Sequence, residues 1–548
     1  MDRKYKDSIK KRSIFISIFT VIIFISLILR LYYLQIHKSE ELTWAAIRQR
    51  GKEISLSPKR GVIYDRNLIP LTNNQVISTV IVDKRVIEKD NHLYNEIKNN
   101  TFLSLAEFKN MMKSNERLLQ IPLIEKSKLN NFNNIYLIDI VTRYGKDNIL
   151  SHVIGYINKS ENRGESGIER LYDEFLKNTD KNSFIVEFDK NRSLILDGIY
   201  YANQSIEPNS PSAVKLTIDY NIQKIIESIL DKEKLNGSVI VAEVETGEIL
   251  GMASRPNFDQ EKIEKYFNSQ DMALYNKAVQ VGYPPGSIFK IVVLLTALEE
   301  KPEVLKEAYY CKGYEEVNGL KIKCGKTHGN ISLEEGFAKS CNSVFIQIGK
   351  ELGAEKVINM AKTLGFGAKV NIGLLEEIQG NLPKDKELLG PAIGNISIGQ
   401  GKIEVTPLQI TNLMLTIANN GINKPLSIVK GIANKDGMII KEVIRKEERQ
   451  IISTESSRVS LNLLREVVNS GTGKYIDLDE IGSCGGKTGS AEAILNRKEA
   501  IHGWFSGFYP AYNPKYVITV LVEDAKSGSI SATPIFERII KEINNSNL

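Results

Sequence analysis

Three short strings in the second half of the chain hold residues that could do chemistry: Ser287-Ile288-Phe289-Lys290, Ser340-Cys341-Asn342 and Lys487-Thr488-Gly489. In the first, a hydroxyl and an amine lie three residues apart and share a face if a helix opens there. The second offers a hydroxyl and an amide. The third puts a cation on a strand thinned by glycine. Together they equip a protein to acylate itself on serine. Ser287 would attack, and Lys290 would take its proton once burial among Ile288, Phe289, Ile291 and Val292, or a second cation such as Lys487, disfavours the ammonium. A helix N-terminus at Ser287 would favour negative charge developing on the serine oxygen.

Context separates these strings from chance matches. S-x-x-K also joins Ser8 to Lys11 and Ser212 to Lys215, and S-x-N joins Ser160 to Asn162. Ser8 lies in a basic tail, Ser212 leads into a strand-like run, and Ser160 sits in a polar loop. Ser287 alone follows a Pro284-Pro285-Gly286 turn and opens an apolar run of helical length, 288–298. Gly489 and the paired Gly485-Gly486 predict a strand against which a substrate backbone can lie. Lys487 would attract a substrate carboxylate, with Thr488 or Ser490 adding hydroxyl hydrogen bonds.

Ordered in this way, the motifs resemble those of class B penicillin-binding proteins, the monofunctional peptidoglycan D,D-transpeptidases. The resemblance runs through most of the chain. Pro58-Lys59-Arg60-Gly61-Val62-Ile63-Tyr64-Asp65-Arg66-Asn67, His152-Val153-Ile154-Gly155-Tyr156 and Gly164-Glu165-Ser166-Gly167-Ile168-Glu169 resemble signatures of the family's N-terminal pedestal. Leu216-Thr217-Ile218-Asp219 with Gln223, Thr246-Gly247-Glu248-Ile249-Leu250, Gly399-Gln400-Gly401, Thr406-Pro407-Leu408-Gln409 and Trp504-Phe505-Ser506-Gly507-Phe508 resemble its catalytic domain. A polar stretch rich in Asn and Lys, 87–134, is the least family-like.

The resemblance implies an α+β fold. It places a serine acyltransferase domain of the penicillin-binding and β-lactamase kind, an antiparallel sheet flanked by helices, after a transmembrane helix and a pedestal. It implies Ser287 as nucleophile, Lys290 as base, Ser340 as proton shuttle to departing D-alanine, and Asn342 as the residue that orients the lysine and holds the donor peptide. Lys487, Thr488 and Ser490 would bind the donor's terminal carboxylate, with Gly489 among the substrate-binding residues of the same strand, and the N–H groups of Ser287 and Ser490 would form the oxyanion hole. Arg60, Asp65 and Arg66 would form a structural salt-bridge cluster. The implied substrates are peptidoglycan stem peptides on lipid-linked or nascent glycan, with β-lactams as acylating mimics. The implied partner is a membrane glycan polymerase of the SEDS class, since the chain carries no polymerase module, and catalysis would need no cofactor. A β-lactamase or carboxypeptidase shares the motifs but needs no large pedestal. A membrane-anchored sensor or scaffold without turnover would use the same serine, yet the tail before Ser13 offers no signalling module.

At 548 residues the chain suits two folded parts and a tail, and 42% hydrophobic with 25% charged residues is ordinary for a folded protein. The net charge of +6 is modest and much of it lies in Arg3, Lys4, Lys6, Lys10, Lys11 and Arg12, which gives no basic stripe for nucleic acid. That basic cluster precedes an apolar run, 14–29, extended through 31–36 and long enough to span a bilayer. An uncleaved anchor is favoured over a signal peptide, because no small-x-small site follows. It predicts a cytoplasmic N-terminus and an extracytoplasmic body. The expected division is a tail at 1–12, an anchor at 13–36, a pedestal at 37–214 and a catalytic domain at 215–548. Within the last, 237–244 and 248–253 read as a hairpin, 504–509 and 516–523 as terminal strands, and 534–543 as a closing helix.

All four cysteines, Cys311, Cys324, Cys341 and Cys484, fall in the expected catalytic domain. Cys311, Cys324 and His328 make a C-x12-C-x3-H spacing that suits three ligands of a structural zinc. A Cys311–Cys324 disulfide suits an extracytoplasmic domain equally, and reduced buried thiols are a third reading, foremost for Cys341. The sequence names no fourth ligand and leaves the three readings open. Catalytic zinc is not expected, because serine and lysine already supply the chemistry.

Overall fold

The computed structural model describes residues 2–188, 194–495 and 498–546, so the extreme ends of the expected tail and catalytic domain lie outside the described residues. The chain forms two compact units, one of Met1–Pro58, Val76–Val141 and Asp180–Ser205, the other of Lys59–Gln75, Thr142–Thr179 and Ile206–Leu548.

The first unit opens on a helix, Asp2–Tyr32, that continues as the π-helical turn Tyr33–His37. Its large apolar side chains, among them Phe15, Phe19, Ile22, Phe24 and Leu29, all face outward. The helix is long and apolar enough to cross a membrane, and such a coat suits lipid rather than water. After the helix Ser39–Arg50 come two three-stranded sheets. One joins Gly51–Ser55, Lys181–Phe188 and Leu194–Gln204. The other places Gln75–Asp83 between Leu118–Pro122 and Ile135–Thr142. The Asn- and Lys-rich stretch folds onto the second sheet as short helices. Asp90 caps Asn91–Asn99, and Ser104 with Glu107 closes a capping box on Leu105–Lys113. Val80, Val82, Leu93, Ile97, Phe108 and Ile121 make its core.

In the second unit we label, in chain order, helices α1 (Tyr220–Glu233), α2 (Lys290–Glu300), α3 (Leu333–Ala338), α4 (Asn342–Leu352), α5 (Pro407–Ala418), α6 (Thr454–Asn469) and α7 (Thr533–Asn545). The central strands are β1 (Gly237–Glu243), β2 (Ile249–Arg255), β3 (Gly485–Leu495), β4 (Lys498–Tyr509) and β5 (Tyr516–Val522). They form one antiparallel sheet of five strands in the order β2-β1-β5-β4-β3, which leaves β3 at an edge. Alternation sorts each strand's side chains between two cores. Ile240, Ala242, Trp504, Phe508 and Leu521 face α2 and α5. Val239, Val241, Phe505, Ile518 and Val520 face Ile222 and Ile226 of α1 and Phe536 and Ile539 of α7. The expected antiparallel sheet with helices on its faces is present.

The sequence signatures of this unit are joints. Asp219 caps α1, accepting from the N–H groups of Asn221 and Ile222. Gln223 stitches α1 to β2, accepting from Met252 N–H at 2.8 Å and donating to Met252 O at 2.9 Å. Thr406 and Gln409 close a capping box with Pro407 in the first turn of α5. Arg60, Asp65 and Arg66 do not pair with one another. Arg60 bonds Glu169 and Asp173, each at 2.7 Å. Arg66 faces Glu243 and Glu248. Asp65 accepts backbone N–H bonds from Asn67, Ile69 and Tyr220. Glu169 also accepts from Arg143 Nε at 2.7 Å and Tyr144 OH at 3.1 Å, with both of its oxygens out of solvent.

Candidate active site

Ser287 sits in a tight turn. Trp504 Nε1 donates to Pro284 O at 3.1 Å, and Gly286 N–H donates to Gly399 O at 3.0 Å. Gly286 has φ +55°, and a Cβ there would fall 2.8 Å from Ser490 O, so a side chain is excluded twice over. Gly399 lies flush on the same turn, since its Cβ would fall 2.2 Å from Gly286 O. This explains Gly399 in the Gly399-Gln400-Gly401 signature, which props the Ser287 turn. The helix does not start cleanly at Ser287. Gly286–Phe289 is 3-10, and α2 begins at Lys290. In a 3-10 turn residues i and i+3 eclipse, which aligns Ser287 with Lys290. Ser287 is part exposed, whereas Lys290 through Leu298 are all buried.

Lys290 Nζ lies 2.7 Å from Ser340 O, 3.2 Å from Ser340 Oγ and 2.7 Å from Asn342 Oδ1. Burial pulls its pKa down to about 8, against a smaller opposing pull from the thiols of Cys341 and Cys324. A neutral amine has two N–H groups and one lone pair. Ser340 O and Asn342 Oδ1 accept only, so they take both N–H groups and leave the lone pair to receive a proton. Ser340 holds φ +56°, a left-handed conformation rare for a non-glycine residue, which turns its carbonyl and hydroxyl toward one amine. Asn342 is fixed from its other end, donating from Nδ2 to Lys323 O at 2.9 Å.

Lys487 is fully buried, its ammonium 5.5 Å over the Phe337 ring. Among the described residues its one hydrogen bond is a long one, 3.4 Å to Thr488 O. Burial first, and then the charge of Lys290, hold its pKa well below the usual lysine range. The second cation expected to lower Lys290 does not do so: burial does, and it is Lys487 that responds to the charge of Lys290. A Cβ on Gly489 would fall 2.9 Å from Pro285 O, so this residue brings β3 against the Ser287 turn. The paired glycines do other work. Cβ atoms at Gly485 and Gly486 would fall 2.3 Å and 2.6 Å from the rings of Phe508 and Phe505, so they admit core aromatics and not a substrate backbone. Thr488 Oγ1 lies 2.6 Å from Thr472 Oγ1, and Ser490 Oγ accepts from Gly528 N–H at 3.0 Å. Sequence reading did not single out Thr472 or Gly528.

Cys311, Cys324 and His328 come together, and Cys341 joins them. Their ligand atoms all lie within 4.8 Å of one another. His328 Nδ1 is 3.4 Å from Cys311 Sγ and 3.7 Å from Cys324 Sγ, and Cys324 Sγ is 3.8 Å from Cys341 Sγ. Cys311, Cys324, Cys341 and Cys484 all stand as free cysteines in this structure. The hydrogen bond between Cys324 and Cys341 pulls Cys324 toward thiolate and pushes Cys341 up. Asn342 N–H also points at Cys324 Sγ, at 3.4 Å. Cys484 stands apart, before β3, where burial pushes its thiol up to about 12.

Residues 237–541 match the model of the penicillin binding protein transpeptidase domain, and residues 55–197 that of the penicillin-binding protein dimerisation domain. The chain is 31% identical to Stage V sporulation protein D of Bacillus subtilis, over 98% of this chain and 85% of that protein. It is 25% identical to the peptidoglycan D,D-transpeptidase MrdA of Acinetobacter baumannii, over 98% and 88%. Among solved structures, the penicillin-binding protein PBP2 of Helicobacter pylori shares the fold with TM-score 0.69 at 23% identity, over 90% of this chain and 99% of that one.

Proposed function

The chain belongs to the class B penicillin-binding proteins and is a serine-type peptidoglycan D,D-transpeptidase open to acylation by β-lactams, and we propose that Ser287 carries the acyl group. The observation that supports this best is the amine of Lys290, buried and bonded to both Ser340 and Asn342 one turn beyond Ser287. Ser287 Oγ attacks the carbonyl of the penultimate D-alanine of a stem peptide while its proton passes to Lys290 Nζ. The N–H groups of Ser287 and Ser490 receive the oxyanion. Ser340 Oγ, 3.2 Å from Lys290 Nζ, gives its proton to the departing D-alanine amine and recovers one from the lysine. The acceptor amine of a neighbouring stem then attacks the ester, loses its proton along the same path, and regenerates Ser287. Lys487, Thr488, Gly489 and Ser490 line the place of the donor's terminal carboxylate.

The apolar N-terminal helix suits a single-pass anchor, and the basic residues ahead of it favour a cytoplasmic N-terminus with the catalytic unit outside. A membrane glycan polymerase of the SEDS class is the partner we assign to such an enzyme. The release of D-alanine and formation of a cross-linked dimer from a stem-peptide donor and acceptor, by purified full-length protein, tests this reading. Absence of turnover with stable penicillin labelling would leave a sensor or scaffold instead.

The Cys311, Cys324, His328 and Cys341 group suits one structural zinc. A tetrahedron with Zn–S bonds of about 2.3 Å has edges of about 3.8 Å, the separation of Cys324 and Cys341 Sγ. Bound there, zinc would supply cross-linking of the Cys311–His328 hairpin region to the turn that holds Ser340 and Asn342, and no step of the reaction. In this reading Cys341 is the fourth ligand.

A further inference from the structure

Lys487 and Gly489 on β3 point to one face of the sheet, Thr488 and Ser490 to the other. The last two are the hydroxyls assigned to the donor carboxylate, and each has a partner outside the sheet. The one that meets Thr488 comes from the turn after α6. Thr472 Oγ1 stands 2.6 Å from Thr488 Oγ1. Its backbone is held at both ends: Thr472 N–H donates to Ala338 O at 3.1 Å, and Thr472 O accepts from Ser529 Oγ at 2.9 Å. The neighbouring Gly471 rests directly on α3, since a Cβ there would fall 2.2 Å from Ala338 O, two residues before Ser340. The turn that carries Thr472 is therefore fastened to the Ser340 loop on one side and to the segment after β5 on the other.

Counting protons gives the direction of the bond. Each threonine hydroxyl has one proton and two lone pairs. Were Thr488 to donate to Thr472, it would offer only lone pairs to an arriving carboxylate, which is repulsive. Were Thr472 to donate, Thr488 would keep its proton for the carboxylate, and that bond to a charged acceptor would gain from the polarised chain behind it.

We propose that Thr472 is a positioning residue for the donor carboxylate, donating its hydroxyl proton to Thr488 so that Thr488 presents its own to the substrate. This rests on the reading that Thr488 holds that carboxylate. The test uses full-length protein and two probes with the same β-lactam ring, benzylpenicillin and its methyl ester. Thr472→Val removes the hydroxyl and keeps the shape. It should slow acylation by benzylpenicillin on the order of tenfold, leave acylation by the ester unchanged, and be rescued by Thr472→Ser. Should Thr472→Val not fold, Thr472→Ala reads the same ratio of the two probes. Equal rates for wild type and Thr472→Val with benzylpenicillin overturn the proposal, and so does an equal loss on both probes, which marks a residue that only holds the strand. Thr488→Val separates the two levels. If it abolishes the preference for benzylpenicillin while Thr472→Val is silent, this proposal fails and the carboxylate site stands. If Thr488→Val keeps the preference, both fail.

Discussion

Lys290 Nζ lies 2.7 Å from Asn342 Oδ1, and the same asparagine donates through Nδ2 to Lys323 O at 2.9 Å. The Lys290 amine is thus tied through one amide to the Cys- and His-bearing region outside its own helix. Its protonation and its support are both open to measurement.

Burial lowers Lys290 to about 8, so its ammonium gives way to amine as pH rises through that value. Only the amine accepts a proton from Ser287. The second-order rate of acylation by benzylpenicillin should therefore climb from pH 6.5 and level off above about pH 9, one unit past the value to which burial lowers the lysine. A profile flat across this range, or one that falls, would mean that Lys290 is not the base.

Metal analysis of protein purified without chelator should find close to one zinc per chain, lost in Cys341→Ser. Because Cys341 lies between Ser340 and Asn342, stripping the metal should slow acylation by about tenfold or more. No zinc, together with a mass two daltons low under denaturing, non-reducing conditions, would instead favour a disulfide.

Glu169 takes charge-assisted bonds from Arg60 and Arg143 at 2.7 Å each, fully out of solvent. Glu169→Gln leaves two buried guanidinium groups short of their counter-charge and should cost about 3–5 kcal/mol. Chemical denaturation read by fluorescence would register this as an earlier midpoint. An unmoved midpoint would mean the cluster is solvated enough to lose its anion.

The sequence exposes the three motif strings because each is local, a helix turn or a single strand, and the chemistry they could do follows from residue type. Hairpin β1–β2 and strand β5 are also legible, as short apolar runs rich in β-branched residues that end up buried on both faces. The pairing of β1 with β5 is not, since it joins residues 237–243 to 516–522 and no local pattern encodes a partner so distant. That Cys341 joins Cys311, Cys324 and His328 is not legible, because Cys324 reaches it only after the hairpin Tyr314–Val317 with Leu320–Lys323 folds back. Gly485 and Gly486 looked like room for substrate, whereas the space is filled by Phe508 and Phe505. Arg60 and Asp65 stand close in sequence, yet their partners lie elsewhere: Glu169 for the arginine, and for the aspartate N–H groups that include that of Tyr220.

The role of Ser287 is tested most directly by intact-protein mass after incubation with benzylpenicillin, for wild type and Ser287→Ala. One stable adduct of the antibiotic's mass on the wild type, with none on the variant, is the predicted result. Equal labelling of both proteins would contradict the account and move the nucleophile to another residue.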